Sequence, residues 1–141
     1  MLRRRNKFLE DYSCVMCGSN TEETLEHLFF DCPSAAARWY KLDIVWDDEA
    51  VIHHKLLIAK NDFPFPFFME VFMVAAWCLW NERNAVVFSG RTPSLSSWNV
   101  AFKKEIEAHL YRIKPVFHSS IRLWLNSLYF FLFSFSFVVP F

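Results

Sequence analysis

Cys14 and Cys17 stand two residues apart with Gly18 behind them, and His27 and Cys32 follow in the pattern Cys-x2-Cys-x9-His-x4-Cys. This spacing lets two thiolates reach one ion from a tight turn, and the glycine permits the left-handed backbone such turns often need. Three sulfurs and one imidazole make a closed tetrahedral set, and soft thiolates select zinc over magnesium or calcium. Four protein donors leave no coordination position for water. The expected site is therefore structural: one zinc ion held by Cys14, Cys17, His27 and Cys32. Three thiolates around Zn²⁺ leave a net charge of −1, so the cluster itself attracts phosphate poorly. Two other readings of the same residues exist: buried free cysteines beside a surface histidine, or a redox dithiol, around which no βαβ pattern is visible. Cys78 lies far from the cluster in an apolar segment and reads as core.

The elements that must position these residues read as helices. Pro33 suits the first turn of a helix over Ser34 to Lys41, rich in alanine. Asp47 or Asp48 is placed to cap a helix over Ala50 to Ala59, and the prolines of Asn61 to Pro66 break regular structure. Phe67 to Phe88 is the most helical segment. Trp77, Trp80, Asn84 and Phe88 share one face there; Trp77, Trp80 and Phe88 could stack bases but are expected in the core, with Arg83 and Asn84 as satisfied polar groups near the helix end. Gly90 closes that helix. Ser94 or Ser96 caps the next, running to about Lys114, with Trp98, Phe102, Ile106, Leu110 and Ile113 as its apolar stripe and Pro115 as its stop. The fold class expected is mostly α: a small irregular zinc knuckle followed by helices, with an apolar C-terminal tail. Only 2 glycines in 141 residues disfavour hairpin-rich all-β folds and phosphate-cradling loops.

Several chemistries find no support. His53 and His54 are adjacent, so on a helix they point apart; His109 and His118 lack neighbours at metal-ligand spacing. The carboxylates of Asp43 to Glu49 read as a solvated acidic loop. No nucleophile elbow, Walker loop or paired-glycine fingerprint occurs, and no enzyme activity is expected. Lys and Arg number 15 and so do Asp and Glu, and this neutrality argues against a strongly electrostatic nucleic-acid binder. The densest basic run, Arg3, Arg4, Arg5 and Lys7, is either a solvated arm or a set of phosphate contacts. Met1 leads directly into arginines, so no secretory leader is expected. The clustered cysteines favour a reducing compartment, cytoplasm or nucleus.

Cys14-Val-Met-Cys-Gly, then Glu23-Thr-Leu-Glu-His27-Leu-Phe-Phe-Asp-Cys32-Pro, then Arg38-Trp39, resembles the zinc-binding domain that follows the polymerase in plant non-LTR (LINE-type) reverse transcriptases. Leu2 to Arg5 is similar to the segment leading into that knuckle. Trp77-x2-Trp80-Asn-Glu-Arg83-Asn84-x3-Phe88 resembles the helix that commonly precedes the linker to RNase H there. The resemblance covers roughly residues 2–115. It implies Cys14, Cys17, His27 and Cys32 as metal ligands, in a retrotransposon fragment that retains the knuckle and the connecting helices. The polymerase aspartates and the RNase H carboxylates have no counterpart. The domains expected are 1–60, a reverse-transcriptase-type zinc-binding domain; 61–115, a helical linker; and 116–141, an apolar low-complexity tail.

From Leu123 to Phe141 no residue is charged and six of nineteen are Phe. Three readings compete: a translated non-coding run, a buried C-terminal helix, or a tail anchor over 123–139 with Arg122 flanking it. The function expected is thus a non-catalytic structural zinc module with at most weak nucleic-acid binding. The alternatives are a zinc-stabilised protein-interaction module or a small tail-anchored membrane protein. No small-molecule substrate is expected.

Overall fold

A computed structural model describes residues 12–138, with side chains through residue 128. Arg3, Arg4, Arg5 and Lys7 lie outside the described residues. The regular elements are helical: α1 (Pro33–Lys41), α2 (Ile52–Asp62), α3 (Phe68–Ser89), α4 (Leu95–His109) and α5 (His118–Val138). A π-helical turn, His27–Asp31, precedes α1, and two 3-10 turns, Leu110–Arg112 and Pro115–Phe117, join α4 to α5. One isolated antiparallel bridge, Ser13 to Glu22, is the extent of β pairing among the described residues. The mostly α class with an irregular N-terminal knuckle is the fold observed.

Proline and alanine set α1. Pro33 occupies its first turn, where a missing N–H leaves no bond unmade, and Leu42 ends it with Asp43 at φ 59°. The chain then runs with Leu42, Ile44 and Trp46 inward and Asp43, Val45 and Asp47 outward, the period-two alternation of an extended segment. The carboxylates of Asp43, Asp47, Asp48 and Glu49 are all exposed, as a solvated acidic loop requires.

Helix α2 starts two residues later than expected and has no side-chain cap. Asp47 Oδ1 instead accepts from the Glu49 amide inside the loop, too far upstream to reach the first turn. Helix α4 does carry the expected cap: Ser94 Oγ accepts from the Ser97 amide. It ends at His109 rather than near Lys114 because the chain tightens into the 3-10 turn, which still turns Leu110 and Ile113 inward. Trp98, Phe102, Ile106, Leu110 and Ile113 are all buried, as their spacing predicts.

Helix α3 corrects the sequence reading. The face bearing Trp77, Trp80, Asn84 and Phe88 is not the core face: Trp77 and Phe88 are 52% and 66% exposed, and Trp80 is half-buried. The buried face is Phe68, Val71, Ala75, Cys78, Leu79 and Arg83. Apolar residues surround most of this helix, so no single stripe stands out in its sequence. The small side chains of Ala75 and Cys78 lie on the buried side, and α3 packs chiefly against α4. Gly90, at φ 64°, closes the helix, and both its amide and that of Arg91 return to the Ala85 carbonyl.

One hydrophobic cluster runs from Cys14 to Leu125. The segment after Pro115 joins it: α5 buries Ile121, Trp124 and Leu125, and the Trp124 ring lies 5.8 Å from both Phe63 and Phe67 and 6.2 Å from Phe102. The start of the apolar tail is therefore a packed helix. Side chains from 129 onward, which carry most of the anchor expected over 123–139, lie outside the described residues. Among the described residues no helix is long and apolar enough to cross a membrane.

Candidate metal centre

Two short structures, each with its own local cause, bring the four ligands together. The first is a tight loop. The Cys14 amide donates to the Thr21 carbonyl at 2.8 Å and the Glu23 amide to the Tyr12 carbonyl at 3.0 Å, closing the base. Gly18 and Asn20 reverse the chain at φ 62° and 56°. A Cβ built on Gly18 meets nothing within 4 Å, so the glycine is needed for its dihedral rather than for space. The loop folds its own amides onto sulfur, with the Met16 N–H 3.4 Å from Cys14 Sγ.

The second structure is the π turn. In a regular α-helix, positions five apart point about 140° away from each other. His27 and Cys32 are five apart, yet the Cys32 amide donates to the His27 carbonyl at 2.7 Å, and this wider turn carries both toward the loop. Thr24 Oγ1 accepts from the His27 amide and starts the turn; Trp39 Nε1 donates to the Phe29 carbonyl in its middle at 2.7 Å. Cys32 then stands at the N-terminus of α1, as its N-cap residue. Free amides and the helix dipole both favour a thiolate there.

Sγ of Cys14, Cys17 and Cys32 and a ring nitrogen of His27 all lie within 4.8 Å of one another. Cys14 and Cys32 sulfurs are 3.9 Å apart, and Cys17 Sγ is 3.4 Å from His27 Nε2. A zinc tetrahedron with Zn–S of about 2.3 Å and Zn–N of about 2.0–2.1 Å has edges of about 3.8 Å between sulfurs and about 3.6 Å from sulfur to nitrogen. The donor set fits a metal ion of that size. Cys14, His27 and Cys32 are buried; Cys17 is half-buried and faces Ser19 Oγ at 2.9 Å. A hydrogen bond with the Cys32 side chain holds the Cys14 thiol down to about 5 against the opposing effect of burial, and the same contact together with burial raises Cys32. A metal ion binds thiolates, so its entry would release the thiol protons of its cysteine ligands.

Two buried ion pairs fix the knuckle to the helices. Arg83 grips Glu23, directly after the loop, with Nη2 and Nε at 2.7 and 3.1 Å. Arg38 of α1 binds Glu82 at 2.7 Å and also donates to the Ser34 carbonyl and hydroxyl. Glu82 Oε2 in turn accepts from the Ser94 amide at the start of α4. Neighbouring residues of α3 therefore tie down the loop, α1 and α4. Sequence reading placed Arg83 as a satisfied polar group but missed Glu23 as its partner and the second pair, Arg38 with Glu82. The available signal was an arginine and a glutamate inside otherwise apolar helices.

The other histidines stay apart from the cluster. His53 and His54 are exposed on α2. His109 Nδ1 donates to the Glu105 carbonyl and His118 Nε2 to that of Ile113. Cys78 is buried as expected, its thiol pushed up to about 12 by burial and by the charges of Glu105 and Glu82. Comparison of the chain with family models, with curated proteins and with solved structures finds no match in any of the three, so the site is read from its donors and their geometry alone.

Proposed function

We propose that the chain is a non-catalytic structural zinc-binding module of the kind that follows the polymerase in plant non-LTR reverse transcriptases, a degenerate fragment with at most weak nucleic-acid binding. One observation carries the metal reading: three sulfurs and one imidazole nitrogen lie within 4.8 Å of one another, with the Cys14–Cys32 and Cys17–His27 pairs at 3.9 and 3.4 Å. The order of the two motifs, knuckle first and Trp-Arg-Asn helix second, supports the retroelement reading. The Glu23–Arg83 pair gives those motifs a physical reason to occur together, because it joins one to the other. Zinc is the ion the thiolates favour, and with four protein ligands it organises the fold without activating water.

The test is metal content together with binding to a single-stranded oligonucleotide across a salt series. The reading expects one zinc per chain and weak binding that falls with salt and with substitution of Arg3, Arg4 and Arg5 by alanine. Metal without any binding at low salt would remove the nucleic-acid role. A zinc-stabilised protein-interaction module is the second reading, favoured by the exposed Met69, Met73, Trp77 and Phe88 of α3. It expects a saturable protein partner and no oligonucleotide binding.

A further inference from the structure

Three sulfurs meet in the metal site with unequal access to solvent. Cys14 and Cys32 are 3% and 0% exposed, and their sulfurs are in hydrogen-bond contact at 3.9 Å. Cys17 is half-buried, and the hydroxyl of the exposed Ser19 lies 2.9 Å from its sulfur, so an oxidant in solution meets Cys17 first. All three are free cysteines with sulfurs within 4.8 Å of one another, so a sulfur oxidised on the open side has two more in reach. Cys78, the fourth cysteine, is buried on α3 and outside the cluster. The Cys14–Cys32 pair spans both halves of the knuckle. Cys14 lies in the tight loop and Cys32 closes the π turn, its amide donating to the His27 carbonyl. A bond between these two sulfurs would join loop to turn, as an ion does; a Cys14–Cys17 bond would stay inside the loop.

We propose that Cys14 and Cys32 form a disulfide on exposure to a hydroperoxide, and that this bond and the metal ion are alternative closures of the knuckle. The inference rests on the metal reading. The Cys17 thiolate attacks the terminal peroxide oxygen; the O–O bond breaks, hydroxide or alkoxide leaves, and Cys17 becomes a sulfenic acid. The Cys14 thiolate then attacks the Cys17 sulfur and displaces hydroxide. In the last step the Cys32 thiolate attacks Cys14 Sγ and expels Cys17 as a thiolate, to which the Ser19 hydroxyl can donate. Two electrons pass from the thiolates of Cys14 and Cys32 to the peroxide, which ends as water, or as water and an alcohol, and Cys17 is regenerated. The oxidised knuckle keeps only Cys17 and His27 as donors, and a structural zinc site needs four. Metal leaves while the loop and the π turn stay joined covalently.

The experiment treats the zinc-loaded full chain, and in parallel the metal-free chain, with hydrogen peroxide. Released zinc is followed with a chromophoric chelator, and disulfides are mapped by mass spectrometry after alkylation. Cleavage after Glu22, Glu23 and Glu26 separates Cys32 from Cys14 and Cys17, and fragmentation between those two assigns the bond. The expected result is one zinc released per Cys14–Cys32 bond, Cys17 and Cys78 recovered as alkylated thiols, and zinc uptake restored by dithiothreitol. In the metal-free chain Cys17→Ser should slow formation of the bond by about tenfold, because the first attack then falls to a buried sulfur. Zinc release with a bond through Cys17, with a bond between two chains or with sulfinic acid in place of a disulfide would overturn the inference, as would a rate that Cys17→Ser leaves unchanged. A chain that keeps its zinc and forms no bond would overturn this inference alone. A chain that takes up no zinc yet forms the bond would overturn the metal reading and leave the sulfur pair standing.

Discussion

Around Cys14 and Cys32 the chain is held by directional contacts: four clustered ligand atoms, a π turn and two buried ion pairs. Around Trp124 it is held by the edge-on rings of Phe63, Phe67 and Phe102, which need proximity more than angle. Phe72 bridges the two regions, stacked on Trp39 at 5.5 Å and on Phe68 at 6.1 Å. The knuckle contains little regular hydrogen bonding of its own, so its shape depends on specific partners. The aromatic end tolerates change by repacking. The two regions should therefore fail differently.

Metal removal is the strongest way to separate them. Structural zinc can contribute about 10 kcal/mol or more in small domains. Chelation should release hydrogen-exchange protection in residues 12–33 first, while α4 and the buried turn of α5 keep theirs. Simultaneous loss everywhere would show that the two regions form one cooperative unit. Next in size are single losses within each region. Trp124→Ala should cost about 3–5 kcal/mol by cavity formation and leave metal affinity unchanged. Arg83→Met should cost a similar 3–5 kcal/mol because it strands the buried Glu23 carboxylate, and it should also weaken metal binding. Adding Glu23→Leu to Arg83→Met should recover most of that stability, a rescue that a purely steric role of Arg83 would not produce. Denaturant titration with parallel metal-binding curves measures all three.

Smaller effects sharpen the same contrast. Ser94→Ala removes the α4 cap and should cost about 1 kcal/mol, without touching the metal site. Alkylation after chelation should modify Cys14, Cys17 and Cys32 readily. Cys78, buried and with its thiol pushed up to about 12, should react only on global unfolding. A fourth rapid modification under native conditions would mean that α3 is not seated as described.

The metal donors were legible in the sequence because thiol chemistry and spacing are local properties. So was the α4 stripe, where Trp98, Phe102 and Ile106 contrast with Lys103, Lys104 and Glu105 in the same turns. Helix α3 was not legible in the same way. Its residues are apolar on nearly every side, and only the approach of α4 and the Glu23–Arg83 pair decide that Ala75 and Cys78 face inward while Trp77 faces out. The π turn was hidden for a related reason: five-residue spacing contradicts helical periodicity until the cluster itself explains it. The packed start of α5 was masked by low-complexity composition, although Ile121, Trp124 and Leu125 already carry helical spacing.

The most direct measurement is zinc stoichiometry on the purified full chain, with Cys32→Ser as control and circular dichroism before and after chelation. The account predicts one zinc per chain, lost in the variant, with ordered structure lost alongside it. No bound zinc and an unchanged spectrum would contradict it, and would mean that the four donors stand together without needing an ion.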